Sequence, residues 1–345
     1  MREFSGRRTF SIYDRFDAVS RYPRHHTAHG NHTKKLSSVS AKTALFSTPS
    51  LEFIHSSSTA DAQPIETART DGVERHINLH RTAARLNGSG IMSERIRVER
   101  SGPIKKITLT RPEKRNAMDT AMLNALHAAF TEEPEPDDRL VVLRAEGSTY
   151  CAGVDLKERL AFGTTSNESP VERVFHAMEH HPLPIVTVVE GAAIAGGCEL
   201  ALHCEFIIAS EDARFGMSLA QVGLAPTWFL AKKLMEVAGP VGTREILLLG
   251  DPLTARWMHD RGLIARVAPE NDLEAEVAKI VGRLADNAPL SLRAMKAMIV
   301  RQLAFRDGVS HHDIDALVQT ARKSKDSKEG MSARLEKRQP NFTGT

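Results

Sequence analysis

The stretch Leu183-Pro184-Ile185-Val186-Thr187-Val188-Val189-Glu190-Gly191-Ala192-Ala193-Ile194-Ala195-Gly196-Gly197-Cys198-Glu199-Leu200-Ala201 decides how this chain folds. Its first half is a short, nearly continuous apolar run, the signature of a strand covered on both faces. Small residues fill Gly191–Gly197, and an apolar helical pattern runs from Cys198 towards Cys204. The same order occurs upstream, where the apolar run Leu140–Ala145 leads into a loop at Gly147–Asp155. Further out, Ile96–Glu99 and Ile104–Leu109 read as a hairpin across Ser101-Gly102. Thr120–Thr131 reads as an amphipathic helix with Asp119 as its N-cap, and Phe206–Ser210 as a strand. After about Ala231 the pattern is mostly helical, through Glu245–Leu249, Thr254–Arg261, Leu273–Leu284, Leu290–Leu303 and His312–Lys323. The expected class is α/β.

Composition narrows the function classes. At 345 residues, 41% hydrophobic and 26% charged, the chain is typical of a globular protein. No apolar run reaches the roughly 18 to 20 residues of a membrane span. Three cysteines, Cys151, Cys198 and Cys204, form no C-x-x-C pair, so neither a disulfide framework nor a zinc site is expected, and no metal is assigned. The net charge of +3 is unevenly spread: residues 1–91 carry 13 Lys and Arg against 8 Asp and Glu, the rest 33 against 35. The folded part therefore lacks the basic excess that nucleic acid would demand. Residues 1–91 are rich in Ser, Thr, Arg and His and lack sustained apolar periodicity, so they are expected to form a disordered leader. That leader is either absent from the mature protein or transit-like, which makes the expected location cytoplasmic or, with a transit peptide, mitochondrial.

Both glycine-containing loops stand at strand ends, where open α/β architectures carry their sites. Neither is G-x-G-x-x-G or G-x-x-x-x-G-K-[ST], so a dinucleotide site and a P-loop have no support. Alanine and glycine let a ligand approach the backbone closely. A helix starting near Gly196-Gly197 presents unpaired N–H groups with the positive end of its dipole behind them. Two such groups from separate loops suit a developing oxyanion.

The stretches Arg111-Pro112-Glu113-Lys114-Arg115-Asn116-Ala117-Met118, Cys151-Ala152-Gly153-Val154-Asp155-Leu156-Lys157-Glu158-Arg159 and Ala195-Gly196-Gly197-Cys198-Glu199-Leu200-Ala201 resemble the crotonase family, the enoyl-CoA hydratase/isomerase group. The tail Lys328-Glu329-Gly330-Met331-Ser332-Ala333-Arg334-Leu335-Glu336-Lys337-Arg338 is similar to that family's C-terminal pattern. The resemblance runs from about Ser93 to Thr345. It implies a crotonase-like ββα superhelix over 92–285, then a helical region over 286–345 that serves oligomerisation and CoA contact, as a homotrimer or dimer of trimers. It also implies an acyl-CoA thioester substrate, with CoA part of that substrate and no separate cofactor. By motif position, the backbone N–H groups of Val154 and Gly196 would bind the thioester oxygen as an enolate forms. Glu199 would carry protons, while Ala152, Asp155, Leu156 and Lys157 fall where the family binds its substrate.

The sequence departs from the family pattern at the second hydratase glutamate. Phe215-Gly216-Met217-Ser218-Leu219 places leucine where that carboxylate is expected. Leucine neither carries a proton nor orients water, so two-carboxylate hydration loses one of its groups. In Leu224-Ala225-Pro226-Thr227-Trp228-Phe229-Leu230, Trp228 and Phe229 replace the usual small residues. Trp228 is read as reshaping the acyl pocket, and Phe229 equally as core. Val154 stands where alanine is common, and Arg334 where an aromatic residue is expected. His203, four residues after Glu199 on the same helical face, is read as a helix-surface histidine, with tuning of Glu199 or a second proton carrier as the alternative. Three functions remain: an enoyl-CoA hydratase/isomerase-type enzyme using one glutamate, a decarboxylase of a malonyl-type thioester, or a catalytically silent acyl-CoA binder.

Overall fold

The computed structural model describes residues 94–162 and 169–345; the leader expected at residues 1–91 lies outside them. The chain enters through a hairpin, β1 (Ile96–Ser101) and β2 (Ile104–Leu109), paired antiparallel from Ile96↔Leu109 to Ser101↔Ile104. Helix α1 (Thr120–Thr131) starts where the Asp119 carboxylate accepts the Met122 N–H at 2.8 Å. It buries Met122, Leu123, Leu126 and Phe130, the face that its periodicity marks. Then follow β3 (Leu140–Ala145), α2 (Leu156–Phe162), α3 (Pro170–His180), β4 (Ile185–Val189), β5 (Ala192–Ile194) and α4 (Gly196–Leu202).

A repeated β-β-α unit continues through β6 (Phe206–Ser210), β7 (Arg214–Gly216), α5 (Trp228–Val237) and α6 (Gly239–Arg244). After a π-helical turn at Glu245–Leu249 come β8 (Leu253–Thr254), α7 (Ala255–Asp260), β9 (Arg266–Ala268) and α8 (Glu270–Asp286). The first strand of each unit joins a six-stranded sheet ordered β1-β2-β3-β4-β6-β9, parallel from β2 onward. The second joins a smaller sheet, β5-β7-β8. Single bridges Thr149↔Gly191 and Cys151↔Ala193 extend that small sheet back into the loop after β3. The two glycine-containing loops are thereby laid side by side.

Burial on both faces explains the continuous apolar strands. Val141, Leu143, Ile185, Val189 and Ile207 join the main core, to which α1 and α3 also contribute. The alternate residues Leu140, Val142, Val186, Val188 and Ile208 pack with Leu273, Val277, Val281 and Leu284 of α8. The C-terminal helices α9 (Pro289–Leu303), α10 (His312–Lys323) and α11 (Lys325–Glu336) follow. Lys296 anchors α9 by donating to the carbonyls of Met178 and Leu183 and pairing with Glu205. On α11, a Cβ at Gly330 would stand 2.5 Å from the carbonyl carbon of Val222, so helix and turn meet backbone to backbone. Among the described residues no helix is long and apolar enough to cross a membrane.

Candidate active site

The loop after β3 is held by one buried side chain. Asn116 accepts the Arg111 N–H at 2.9 Å and donates to the carbonyls of Glu146 and Thr149, each at 2.8 Å. It thus ties the Arg111–Met118 segment to the start of the loop. Further along, Met118 donates to Gly153 O at 2.8 Å and accepts from Asp155 N at 3.0 Å. Val154 lies between these bonds, and its own N–H makes no hydrogen bond with a described residue.

The second loop turns sharply at Ala195, with φ 50° and ψ −120°. Immediately after it, Gly196 opens α4, so its N–H has no intrahelical acceptor. The loops touch: a Cβ at Gly153 would lie 3.1 Å from the Gly196 nitrogen, and one at Gly197 only 2.1 Å from Cys151 O. Two backbone donors with no acceptor among the described residues therefore stand on adjoining turns, backed by the N-terminus of a buried helix.

Glu199, in the first turn of α4, is 7% exposed, and no described residue hydrogen-bonds its carboxyl. Burial pushes that carboxyl up to about 8, assisted by the negative charge of Glu172 and opposed by the cation of Arg322. Glu172 comes from α3 and Arg322 from the last turn of α10. Neither was found from sequence, because no motif links these helices and the chain alone does not show which faces converge. Among the described residues no group of three or more His, Cys, Asp or Glu is placed to hold a metal ion. Cys151 and Cys198 are buried thiols, pushed up to about 12 by burial, and pack rather than react.

His203 corrects the sequence reading. It caps α4 at 3% exposure, with its ring stacked between Phe175 at 4.8 Å and Phe229 at 5.1 Å. Helices α3 and α5 supply those rings, a covering that i,i+4 spacing does not reveal. Its Nδ1 meets the backbone carbonyl of Glu199 at 2.9 Å, not the carboxyl. Burial, then the Lys233 cation, pushes the imidazole down to about 3, so it is neutral near pH 7. Phe229 belongs to this core stack.

The other expected residues are distributed as follows. Ala152 donates to Arg115 O at 2.9 Å, and Leu156 begins α2, both half-buried. Asp155 accepts from Arg111 at 2.9 Å and from the N–H groups of Lys157 and Glu158, which caps α2. Burial opposes its ionisation, but Arg111 and those N–H groups outweigh it and hold the carboxyl below its usual range. Lys157 is exposed beside it. Trp228, the first residue of α5, lays its ring on His311 at 4.7 Å, which joins α5 to the start of α10. Leu219 is half-buried and packs against the main core.

A family model described as enoyl-CoA hydratase/isomerase matches residues 99–345. The 2,3-dehydroadipyl-CoA hydratase of Escherichia coli (strain K12) is 31% identical over 262 residues, which cover 73% of this chain and 100% of that protein. Enoyl-CoA hydratase domain-containing protein 3, mitochondrial, of Rattus norvegicus is 30% identical, with 69% and 80% covered. A solved structure of methylmalonyl-CoA decarboxylase with 2S-carboxypropyl-CoA has a TM-score of 0.69 at 25% identity, covering 74% of this chain and 100% of that one.

Proposed function

The chain belongs to the enoyl-CoA hydratase/isomerase family of acyl-CoA enzymes, and on that premise we propose that it forms a thioester enolate between the N–H groups of Val154 and Gly196, with Glu199 as proton carrier. The observation that carries this reading is the pair of donors, without acceptors among the described residues, on touching loops, with a buried carboxyl one helical turn behind them. The thioester oxygen would accept both N–H groups as it gains charge, and losing one donor would cost about 3 kcal/mol of transition-state stabilisation. Glu199, once ionised, would take a proton from the carbon next to the thioester and return it further along the chain. One carboxylate suffices for that double-bond shift, whereas hydration also requires a group to activate water. Glu199→Gln is expected to lower turnover of a 3-enoyl-CoA by about 10²- to 10⁴-fold. Unchanged turnover would remove Glu199 from this role.

A second reading, decarboxylation of a malonyl-type thioester, is favoured by Leu219 and by the likeness to methylmalonyl-CoA decarboxylase. Loss of CO₂ would leave the enolate directly, without a base. Assays with crotonyl-CoA, a 3-enoyl-CoA and methylmalonyl-CoA separate hydration, isomerisation and decarboxylation. Tight binding without turnover of any of them would point to a silent binder.

The same proposal assigns Ala152, Leu156 and Lys157 to the CoA-binding edge and residues 286–345 to assembly as a homotrimer or dimer of trimers. Exposed Leu290, Met295, Met298 and Ile299 on α9 support burial of that helix against another subunit. Light scattering of the purified chain tests this, and a monomer at micromolar concentration would reject it.

A further inference from the structure

A cavity of about 350 Å³ opens between the edge of the large sheet and α8. That volume falls within the roughly 300–1,000 Å³ of small-molecule sites. Phe206, the first residue of β6, and Arg266, the first of the edge strand β9, line one wall. Helix α8 lines the other with Glu276, Lys279, Ile280, Arg283 and Leu284. Strands β3, β4, β6 and β9 run parallel, and the loops that carry Val154 and Gly196 follow the C-terminal ends of β3 and β4. The cavity stands at strand starts, at the opposite end of the sheet from those loops. None of its residues belongs to the 286–345 region proposed for assembly.

The floor of the cavity is apolar. Spacing of i, i+4 and i+8 puts Glu276, Ile280 and Leu284 on one face of α8, with Lys279 and Arg283 in the row beside them. Phe206 and Ile280 pack on the core beneath α8 yet remain only half-buried, so apolar surface is left open. The rim is cationic: three cations and one carboxylate leave the lining residues a net charge of +2. Glu276 accepts from Lys279 at 2.5 Å and stands 3.8 Å from Nε of Arg266, which also donates to Ala265 O. That carboxylate is thereby shared between two cations. Arg283 is exposed, and its guanidinium forms no salt bridge or hydrogen bond with a described residue.

We propose that this cavity is a second binding site, for a carboxylate with a medium-length apolar tail. The planar guanidinium of Arg283 suits a carboxylate, which can accept two parallel N–H bonds from it, and Lys279 adds a second positive charge. The tail would cover Phe206, Ile280 and Leu284, taking their open surface from water. A small hydrated anion would leave that floor bare. A neutral apolar molecule would leave the surplus positive charge unmatched.

Calorimetry of the full chain with octanoate, octanamide, butyrate and inorganic phosphate tests this. Octanoate is expected to bind at least tenfold more tightly than octanamide, which lacks the charge, and than butyrate, which lacks the tail. Both Lys279 and Arg283 are exposed, so their substitution is expected to leave the unfolding midpoint unchanged. Arg283→Gln combined with Lys279→Gln is expected to weaken octanoate at least tenfold, and Arg283→Lys alone to weaken it less. Octanoate that fails to bind at millimolar concentration would overturn the inference, as would octanamide or phosphate binding equally well. Octanoate held equally by the wild-type chain and the double variant would lie elsewhere, the acyl end of the proposed active site included, and would overturn it too. None of these results touches the acyl-CoA reading, since the cavity shares no residue with Val154, Gly196 or Glu199.

Discussion

Ala195 donates its N–H to the carbonyl of Gly216 at 2.7 Å, and this bond holds an alanine in a conformation suited to glycine. At φ 50° and ψ −120° its Cβ is strained, a cost of about 1–3 kcal/mol. The turn matters because the next residue, Gly196, supplies one of the two proposed donors. Glycine at this position would relieve the strain but lose about 0.5–1 kcal/mol to chain entropy. Ala195→Gly is therefore expected to raise stability by about 1 kcal/mol. Ala195→Val, with a branched side chain at positive φ, is expected to lower it. Urea denaturation of the purified variants checks both signs.

Gly196 and Gly197 differ in what a methyl group would meet. At Gly197 the added carbon would stand 2.1 Å from a backbone oxygen, Cys151 O, which the Ile194 N–H also engages. At Gly196 the nearest atom, 2.9 Å away, is the terminal methyl of Met118, which can move. Gly197→Ala is expected to cost about 2 kcal/mol or more, and Gly196→Ala under about 1 kcal/mol. Equal losses in denaturation midpoint would mean that the two loops are not in the contact described.

If Glu199 acts as a base, kcat/KM should rise with pH through about 8, since only its ionised form accepts a proton. The neighbours set the direction of each shift. Glu172→Gln removes a like charge and moves the rise to lower pH; Arg322→Gln removes a cation and moves it higher. A profile that ignores both substitutions would disconnect these groups from Glu199.

His203 predicts an acid-side loss of stability. Its folded value, about 3, lies below the unfolded value of 6.5, so the unfolded chain binds a proton that the folded chain refuses. The stabilisation is fully present above 6.5 and is lost as pH falls towards 3. His181, pushed down to about 4 chiefly by burial, acts in the same sense. His203→Gln should flatten stability against pH over this window, even if it lowers stability at pH 7. Denaturation at several pH values from 4 to 8 measures this.

The sequence was most informative where local chemistry settles structure. Thr120–Thr131 has the predicted bounds because Asp119 caps an apolar face, and Leu140–Ala145 because both faces of β3 are covered. Helix α4 begins at Gly196, as expected of a helix starting near Gly196-Gly197, although the apolar pattern itself starts only at Cys198; two glycines are poor helix formers, and contact with the first loop holds them there. The three-residue strands β5 and β7 carry too little pattern to be read before their partners are known. Val154, Gly196 and Glu199 were legible through their motifs. Glu172 and Arg322 were not singled out, because only the packing of helices α3 and α10 brings their charges to bear on Glu199.

The central claim is that the N–H groups of Val154 and Gly196 grip one thioester oxygen. Difference infrared spectroscopy of a bound acyl-CoA carrying a ¹³C-labelled thioester carbonyl tests it most directly. Two donors on that oxygen weaken the C=O bond, so the labelled band should move to lower frequency than in water. A bound ester whose carbonyl band stays at its solution frequency, or rises, would contradict the account.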